Sequence, residues 1–200
     1  MTEDKLCRCP WVDTNKPDYV KYHDEEWGVP IYDDQKLFEY LTLEGAQAGL
    51  SWYTVLKRRD SYREAFCQFD VTKVASLTES DVEQLMQNKG IIRNRAKITA
   101  TINNAKQFIE VQKEYGSFSK YMWSFVNGET IINEINELSE YPSTSPESDA
   151  WSKDLKKRGF KFVGSTICYA HMQACGMVMD HAHSCFRRNQ VLNLISQKST

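Results

Sequence analysis

Four residues near the two ends of this 200-residue chain have the chemistry to share a metal: Cys9 and His23 at the start, His181 and Cys185 at the finish. Thiolates and imidazoles are the ligands tetrahedral zinc prefers, and four protein ligands leave no open position for water, so such an ion is structural, not catalytic. If His181 and Cys185 lie on one helical turn, their i and i+4 spacing turns both side chains the same way, toward the N-terminal pair. The ion would then tie the N-terminal segment to the C-terminal tail. Spacing leaves the ligand set open. Cys7 stands two residues before Cys9 and His183 two after His181, and a ligand could be swapped within either cluster. Four separate core or surface residues are the alternative, because neither pair has the compact spacing of a local finger.

A second candidate is Glu44 in LEGAQAGLSW, a lone carboxylate among small and apolar residues. On a continuous helix Glu44, Ala48 and Trp52 share a face. A carboxylate beside an indole in an apolar pocket must be paired or protonated, which marks a functional site; a solvated surface glutamate is the plainer alternative. In YVKYHDEEWGVP, Tyr19, Tyr22 and Trp27 surround His23, and with Trp11 and Trp52 they could form an aromatic box for stacked bases or cations. They could equally be a tryptophan-rich core. A third candidate is NKGIIRNRAKI, residues 88–98, a tight turn at Gly90 followed by Arg93, Arg95 and Lys97. Backbone N–H groups and a helix N-terminus there can hold a phosphate without reading sequence, unless the segment is an ordinary helical corner.

The elements that position these residues read as helices. Residues 34–69 carry Leu37, Phe38, Leu41, Leu50, Val55 and Leu56 at helical spacing, interrupted by Gly45 and Gly49. Thr78 and Asp81 announce a helix through a capping box, which Gly90 should end as a left-handed cap. Ile98 to Gln112 predict a long amphipathic helix ending near Gly116, and Phe118 to Phe125 another short one. The stretch 139–150, with Pro142, Pro146 and several serines, predicts a surface loop. Helices over 151–158 and 164–175 follow, and no segment alternates with period two. The fold class is all-α.

Composition narrows the functions. The hydrophobic fraction of 41% supplies an ordinary core, no apolar run reaches the length of a membrane span, and the opening MTEDKLCRCP is charged where a signal peptide is apolar, so the cytoplasm is expected. Six cysteines there read as reduced thiols with metal ligands among them, Cys67, Cys168 and Cys175 being small core residues. A net charge of −2 advertises no nucleic-acid binding, but basic residues cluster locally at 57–59, 93–97 and 153–161.

Together RCPWV, YHDEEWG, LEGAQAGLSW, KGIIRNRAK, MWSFVN, KKRGFKFVGSTICY, MQACG and DHAHSC resemble the DNA-3-methyladenine glycosylase I family, constitutive bacterial alkylation-repair glycosylases of the helix-hairpin-helix superfamily. The match runs in order from Cys9 to Cys185. The resemblance implies a bilobal all-helical fold, one glycosylase domain over 1–200 with its hairpin at 88–98, and one structural zinc on Cys9, His23, His181 and Cys185. It implies excision of 3-methyladenine from alkylated duplex DNA, leaving an abasic site. Glu44 would bind the flipped base as the catalytic-site carboxylate, Trp52 would stack and Tyr22 form the floor, with Trp11, Tyr19 and Trp27 as walls. Leu50 is the candidate wedge, and Gly90, Arg93, Arg95 and Lys97 the DNA contacts. A monomer is expected, at the nucleoid when acting, with no membrane and no obligate protein partner. Related lyases carry a lysine at the hairpin and many relatives an aspartate on the next helix. Here Asn94 takes the first place and 98–118 contains no aspartate, which disfavours strand cleavage. A broader alkylpurine glycosylase, a zinc-stabilised damage-binding module and a zinc hydrolase are the rival readings. Cys7 and His171 depart from the family pattern.

Overall fold

The longest apolar stripes become the helices at the centre of the molecule. In this computed structural model residues 6–198 are described; residues 1–5 and 199–200, included in the expected domain, lie outside the described residues. The helices are α1 (Pro17–Glu25), α2 (Asp34–Gln47), α3 (Trp52–Leu56), α4 (Arg59–Ala65), α5 (Val71–Ala75), α6 (Glu79–Gln87), α7 (Arg95–Tyr115), α8 (Phe118–Trp123), α9 (Pro146–Lys157), α10 (Ser165–Ala174) and α11 (Phe186–Lys198). None of them is long and apolar enough to cross a membrane.

Helix α2 is the hub. Asp33 caps its start by accepting from the Lys36 backbone N–H, and Leu37, Phe38, Tyr40 and Leu43 are fully buried. A helix covered nearly all round belongs in a core. Phe38 meets Phe108 of α7 edge-on, and Phe108 stacks on Phe118 of α8 with centroids 3.9 Å apart. Asp34 accepts at 2.8 Å from the backbone N–H groups of Phe118 and Ser119, which would otherwise be unpaired at the start of α8. On another side the buried Arg59 of α4 donates to Glu39 of α2 at 2.5 Å and to Glu26 at 2.8 Å. Its charge tolerates burial only because both partners are in place.

The capping box forms at Thr78 and Asp81, as the sequence predicts, but the helix stops at Gln87 and Gly90 is not its left-handed cap. Asn88 holds the C-cap with φ −74°. A Cβ on Gly90 would stand 2.6 Å from Ser61 Oγ, so close packing explains the glycine. Asn94 then caps α7, which ends at Gly116 with φ +82° as its spacing predicts.

Three other expectations change. The 34–69 helix breaks after Gln47, where Gly49 takes φ +77° and Ser51 caps the restart at Trp52; Gly45 stays inside α2. The 139–150 loop is shorter than read, since Ser145 caps α9 and Pro146 sits in its first turn, where a missing N–H costs nothing. Two two-residue strands, β1 (Ile131–Ile132) and β2 (Val178–Met179), pair in parallel, Ile131 with Val178 and Ile132 with Met179. Strands of that length show no period in a sequence.

Candidate functional site

The segment around α1 meets the turn before α11, and all four proposed ligands are buried there. Cys9 Sγ lies 3.5 Å from His181 Nδ1, and Cys185 Sγ 3.5 Å from His23 Nε2 and 3.6 Å from His181 Nδ1. The four donor atoms lie within 4.8 Å of one another, a group able to hold a metal ion. The outer nitrogen of each ring is occupied. His23 Nδ1 donates to Asp24 at 2.7 Å, Arg8 holds that carboxylate through Nε and Nη2, and His181 Nε2 donates to the Trp27 carbonyl at 3.0 Å. Such partners fix which ring nitrogen faces inward.

His181 and Cys185 do not share a helical turn as their spacing predicts, because α11 begins only at Phe186. The Cys185 N–H closes a tight turn on the Ala182 carbonyl, and the His183 N–H bonds to Ile135. That turn still brings both side chains together. Cys7 is exposed, and His183 is half exposed and paired with Glu134; neither belongs to the buried group.

Beside the cluster is a cavity of about 250 Å³ lined by Trp11, Tyr19, Tyr22, Trp27, Glu44, Gln47, Trp52, Leu138, Tyr141, Pro142, Ala170 and Gln173. The two features share a wall, since Trp27 stands edge-on to His181 at 4.8 Å and Trp11 to His23 at 5.3 Å. Trp11 meets Trp27 at 4.9 Å and Tyr19 at 5.2 Å, and Tyr22 meets Trp52 at 5.3 Å. All five aromatic residues named from the sequence therefore line one space. Glu44 and Trp52 arrive there differently from the expectation: α2 ends before Ala48, so Glu44 comes from its last turn and Trp52 from the first residue of α3.

Several polar groups of the residues that line this cavity are unpartnered. Glu44 is 3% exposed, and burial pushes its carboxyl up to about 8. Among the described residues none donates to it. The indole N–H groups of Trp11 and Trp52 are buried without acceptors. Burial of polar groups without hydrogen bonds is unfavourable, and a carboxyl without a donor among aromatic walls suits a flat aromatic molecule with a positive charge.

Outside the cavity, Leu50 is 39% exposed on the loop after Gly49. Arg93 is exposed on the 88–94 turn, and Gly90 lies against Ser61. Arg95 is exposed but bonded to Glu79 at 2.5 Å and to Glu83. Lys97 is turned inward, its Nζ donating to the carbonyls of Ala46 at 2.9 Å and Ala48 at 2.6 Å. Its ammonium braces the end of α2, the helix that carries Glu44, and the loop that carries Leu50. Cys168 and Cys175 are buried as expected, whereas Cys67 is only half-buried.

The sequence did not point to Gln173, Gln47 or the segment 138–142 as cavity wall. Gln173 lay within a motif but carried no chemical pattern of its own. Tyr141 before Pro142 was the available signal, an aromatic residue in a stretch otherwise read as linker.

Comparison with known proteins adds independent findings. The methyladenine glycosylase family model matches residues 11–188. DNA-3-methyladenine glycosylase 1 of Escherichia coli (strain K12) is 54% identical over 178 residues, 89% of this chain and 95% of that protein. A crystal structure of 3-methyladenine DNA glycosylase I superimposes with a TM-score of 0.88 at 54% identity, covering 90% of this chain and 98% of that one. The Staphylococcus aureus enzyme, solved for the basis of its 3-methyladenine recognition, gives a TM-score of 0.85 at 39% identity over 88% of this chain and 93% of that one.

Proposed function

The chain belongs to the methyladenine glycosylase family, and from that premise we propose that the cavity around Glu44 receives the damaged base. The protein is a hydrolase of DNA repair that excises 3-methyladenine from alkylated DNA. The observation that carries the assignment of the site is the Glu44 carboxyl, buried without a hydrogen-bond donor in a cavity lined by five aromatic residues named from the sequence.

The chemistry follows from the lesion's charge. Methylation at N3 leaves the nucleotide's base cationic, so its glycosidic bond is weak and the base departs neutral. Strong acid catalysis is unnecessary. A neutral adenine entering the cavity offers Glu44 no counter-charge. A cationic base does, drawing the carboxyl's pKa back down so that it binds as carboxylate. Trp52 stacks on the base, Tyr22 forms the floor, and Trp11, Tyr19 and Trp27 complete walls whose ring faces attract a cation. Extrusion from the duplex costs a few kcal/mol and is commonly helped by an apolar wedge. Exposed Leu50, on the loop between α2, which carries Glu44, and α3, which begins at Trp52, takes that part.

The hairpin formed by α6, residues 88–94 and α7 holds the DNA backbone in a helix-hairpin-helix manner, through the backbone near Gly90 and the side chain of Arg93, with Arg95 available on exchange of its acidic partners. Lys97 acts indirectly, by holding the loop of Leu50. Water is the attacking species and the strand stays intact, consistent with Asn94 serving as a helix cap where related lyases carry lysine.

The Cys and His cluster holds one structural zinc. With Zn–S near 2.3 Å and Zn–N near 2.0–2.1 Å, a tetrahedral site has S···N edges of about 3.5–3.6 Å, the separations found here. A zinc so bound joins the terminal segments of a single bilobal domain and takes no part in hydrolysis. We place this activity in the cytoplasm, in a monomer acting at the nucleoid.

The test is single-turnover incubation with methylated duplex DNA. Chromatography of the released bases should show 3-methyladenine, and the strand should carry abasic sites without breaks until alkali is added. Release of many alkylpurines at similar rates would replace the narrow reading with a broad one, and lesion binding without release would leave a damage-binding module.

A further inference from the structure

Gln173 belongs to the cavity wall, one turn beyond Ala170 on the same face of α10, and its amide cannot turn freely. Its Nε2 donates at 2.8 Å to Oδ2 of Asp180, a fully buried side chain. The same carboxylate accepts from the Tyr169 hydroxyl at 2.9 Å and from Asn133 Nδ2 at 2.7 Å. Carboxylate oxygens accept, so the face of the Gln173 amide turned to Asp180 has to be its NH2. The carbonyl Oε1 is left pointing elsewhere, and among the described residues none donates to it. The holder is itself rigid. The β1 and β2 pairing sets Asn133 and Asp180 next to each other just beyond the ladder, and Arg188 clamps the carbonyls of Asn133 and His181 at 3.0 and 2.8 Å.

We propose that Gln173 is a specificity-determining residue that presents a fixed carbonyl acceptor to the exocyclic amine of 3-methyladenine, with Asp180 as the positioning residue that holds the amide in that orientation. The proposal rests on the cavity being the base site. Its consequence is discrimination between methylated purines. Methylation at N3 makes adenine and guanine nucleotides equally cationic, so charge and stacking cannot tell them apart. The edges can: adenine carries a 6-amino donor where guanine carries an O6 acceptor. A carbonyl facing O6 leaves two acceptors opposed and unpaired, which a closed site rejects more strongly than a lost apolar contact.

The experiment uses the full chain and duplex DNA methylated to carry both 3-methyladenine and 3-methylguanine, with single-turnover rates for each base. Wild type should prefer 3-methyladenine. Gln173→Met keeps the length and packing of the side chain, and should lower the 3-methyladenine rate about tenfold while changing the 3-methylguanine rate less than about twofold. Asp180→Asn allows the amide pair to turn over, offering N–H to the cavity, and should move the ratio further toward guanine. A thermal melt of each variant separates a folding defect from a change of preference. If both lesions slow equally, or neither changes, in variants that melt like wild type, the specificity role is overturned while the glycosylase reading stands. If wild type releases neither base, that underlying reading fails and the proposal with it.

Discussion

The Cys and His cluster and the aromatic cavity share two tryptophans and differ in one respect, the satisfaction of their polar groups. In the cluster, the outer nitrogen of each histidine has a protein acceptor, and the four inward donors are arranged around one point. In the cavity, the Glu44 carboxyl has no donor among the described residues. Buried polar groups that are complete within the chain are doing structural duty, while those left open toward a space mark where something arrives. His171 provides a third case. It is fully buried, packed edge-on to Trp151 at 5.2 Å, and both ring nitrogens are unpartnered, but it lines no part of the cavity. Being unpartnered is thus insufficient; the group must also face room for a ligand.

The largest expected effect falls on the cluster. Cys185→Ser, or chelation of the metal, should lower stability by more than ~3 kcal/mol, roughly 10 °C in Tm for a chain of this size, with excision lost only as the protein unfolds. Calorimetry beside elemental analysis checks this; a metal-free protein that melts like wild type would make the cluster dispensable.

Glu44→Gln should do the opposite, cutting 3-methyladenine release by about 100-fold or more, the scale of a lost catalytic-site electrostatic contact, without lowering Tm. Stability should also lose a pH dependence. The folded pKa of Glu44 is raised to about 8 from an unfolded value near 4.3. Its contribution is therefore full below about pH 4.3 and is lost as pH rises toward 8, a change on the order of a few kcal/mol. Thermal melts from pH 5 to 9 should show this slope in wild type and a flatter one in the variant.

Leu50→Ala should slow excision about tenfold at unchanged Tm if filling the gap in the stack is its task. Equal rates on duplex DNA would remove the wedge. The smallest effect belongs to His171. Burial pushes its pKa down to about 3, so its stabilising neutral state is complete above about pH 6.5 and is lost as pH falls toward 3. His171→Leu should raise Tm by a few degrees near pH 5 and leave excision intact, measured by paired melts and turnover assays; a fall in excision would give this core residue a role in the site.

Much of this organisation was legible in the sequence, for local reasons. Thr78 with Asp81, Gly116 and the stripe from Ile98 to Gln112 each carry their own geometry, and the structure follows them. The four residues of the Cys and His cluster and the five aromatic residues were also nameable, because thiol, imidazole and indole are rare enough that their grouping is informative. What was not legible depends on contacts distant in the chain. Gly90 looked like a cap, but its constraint comes from Ser61 in α4. Lys97 looked like a phosphate contact, but its partners are carbonyls about fifty residues away. Gln173 is polar and ordinary until Asp180 and the two-residue ladder fix it. Pro146 and its serines read as loop because the same residues serve turns and helix starts.

The most direct test of the division between the two regions is to measure, on one preparation of Glu44→Gln, its metal content, its affinity for duplex DNA and its single-turnover release of 3-methyladenine. The expected result is one zinc per chain, DNA binding like wild type, and release slowed by about 100-fold or more. Release at the wild-type rate from that metal-replete, DNA-binding protein would contradict the assignment of the cavity as the site of excision.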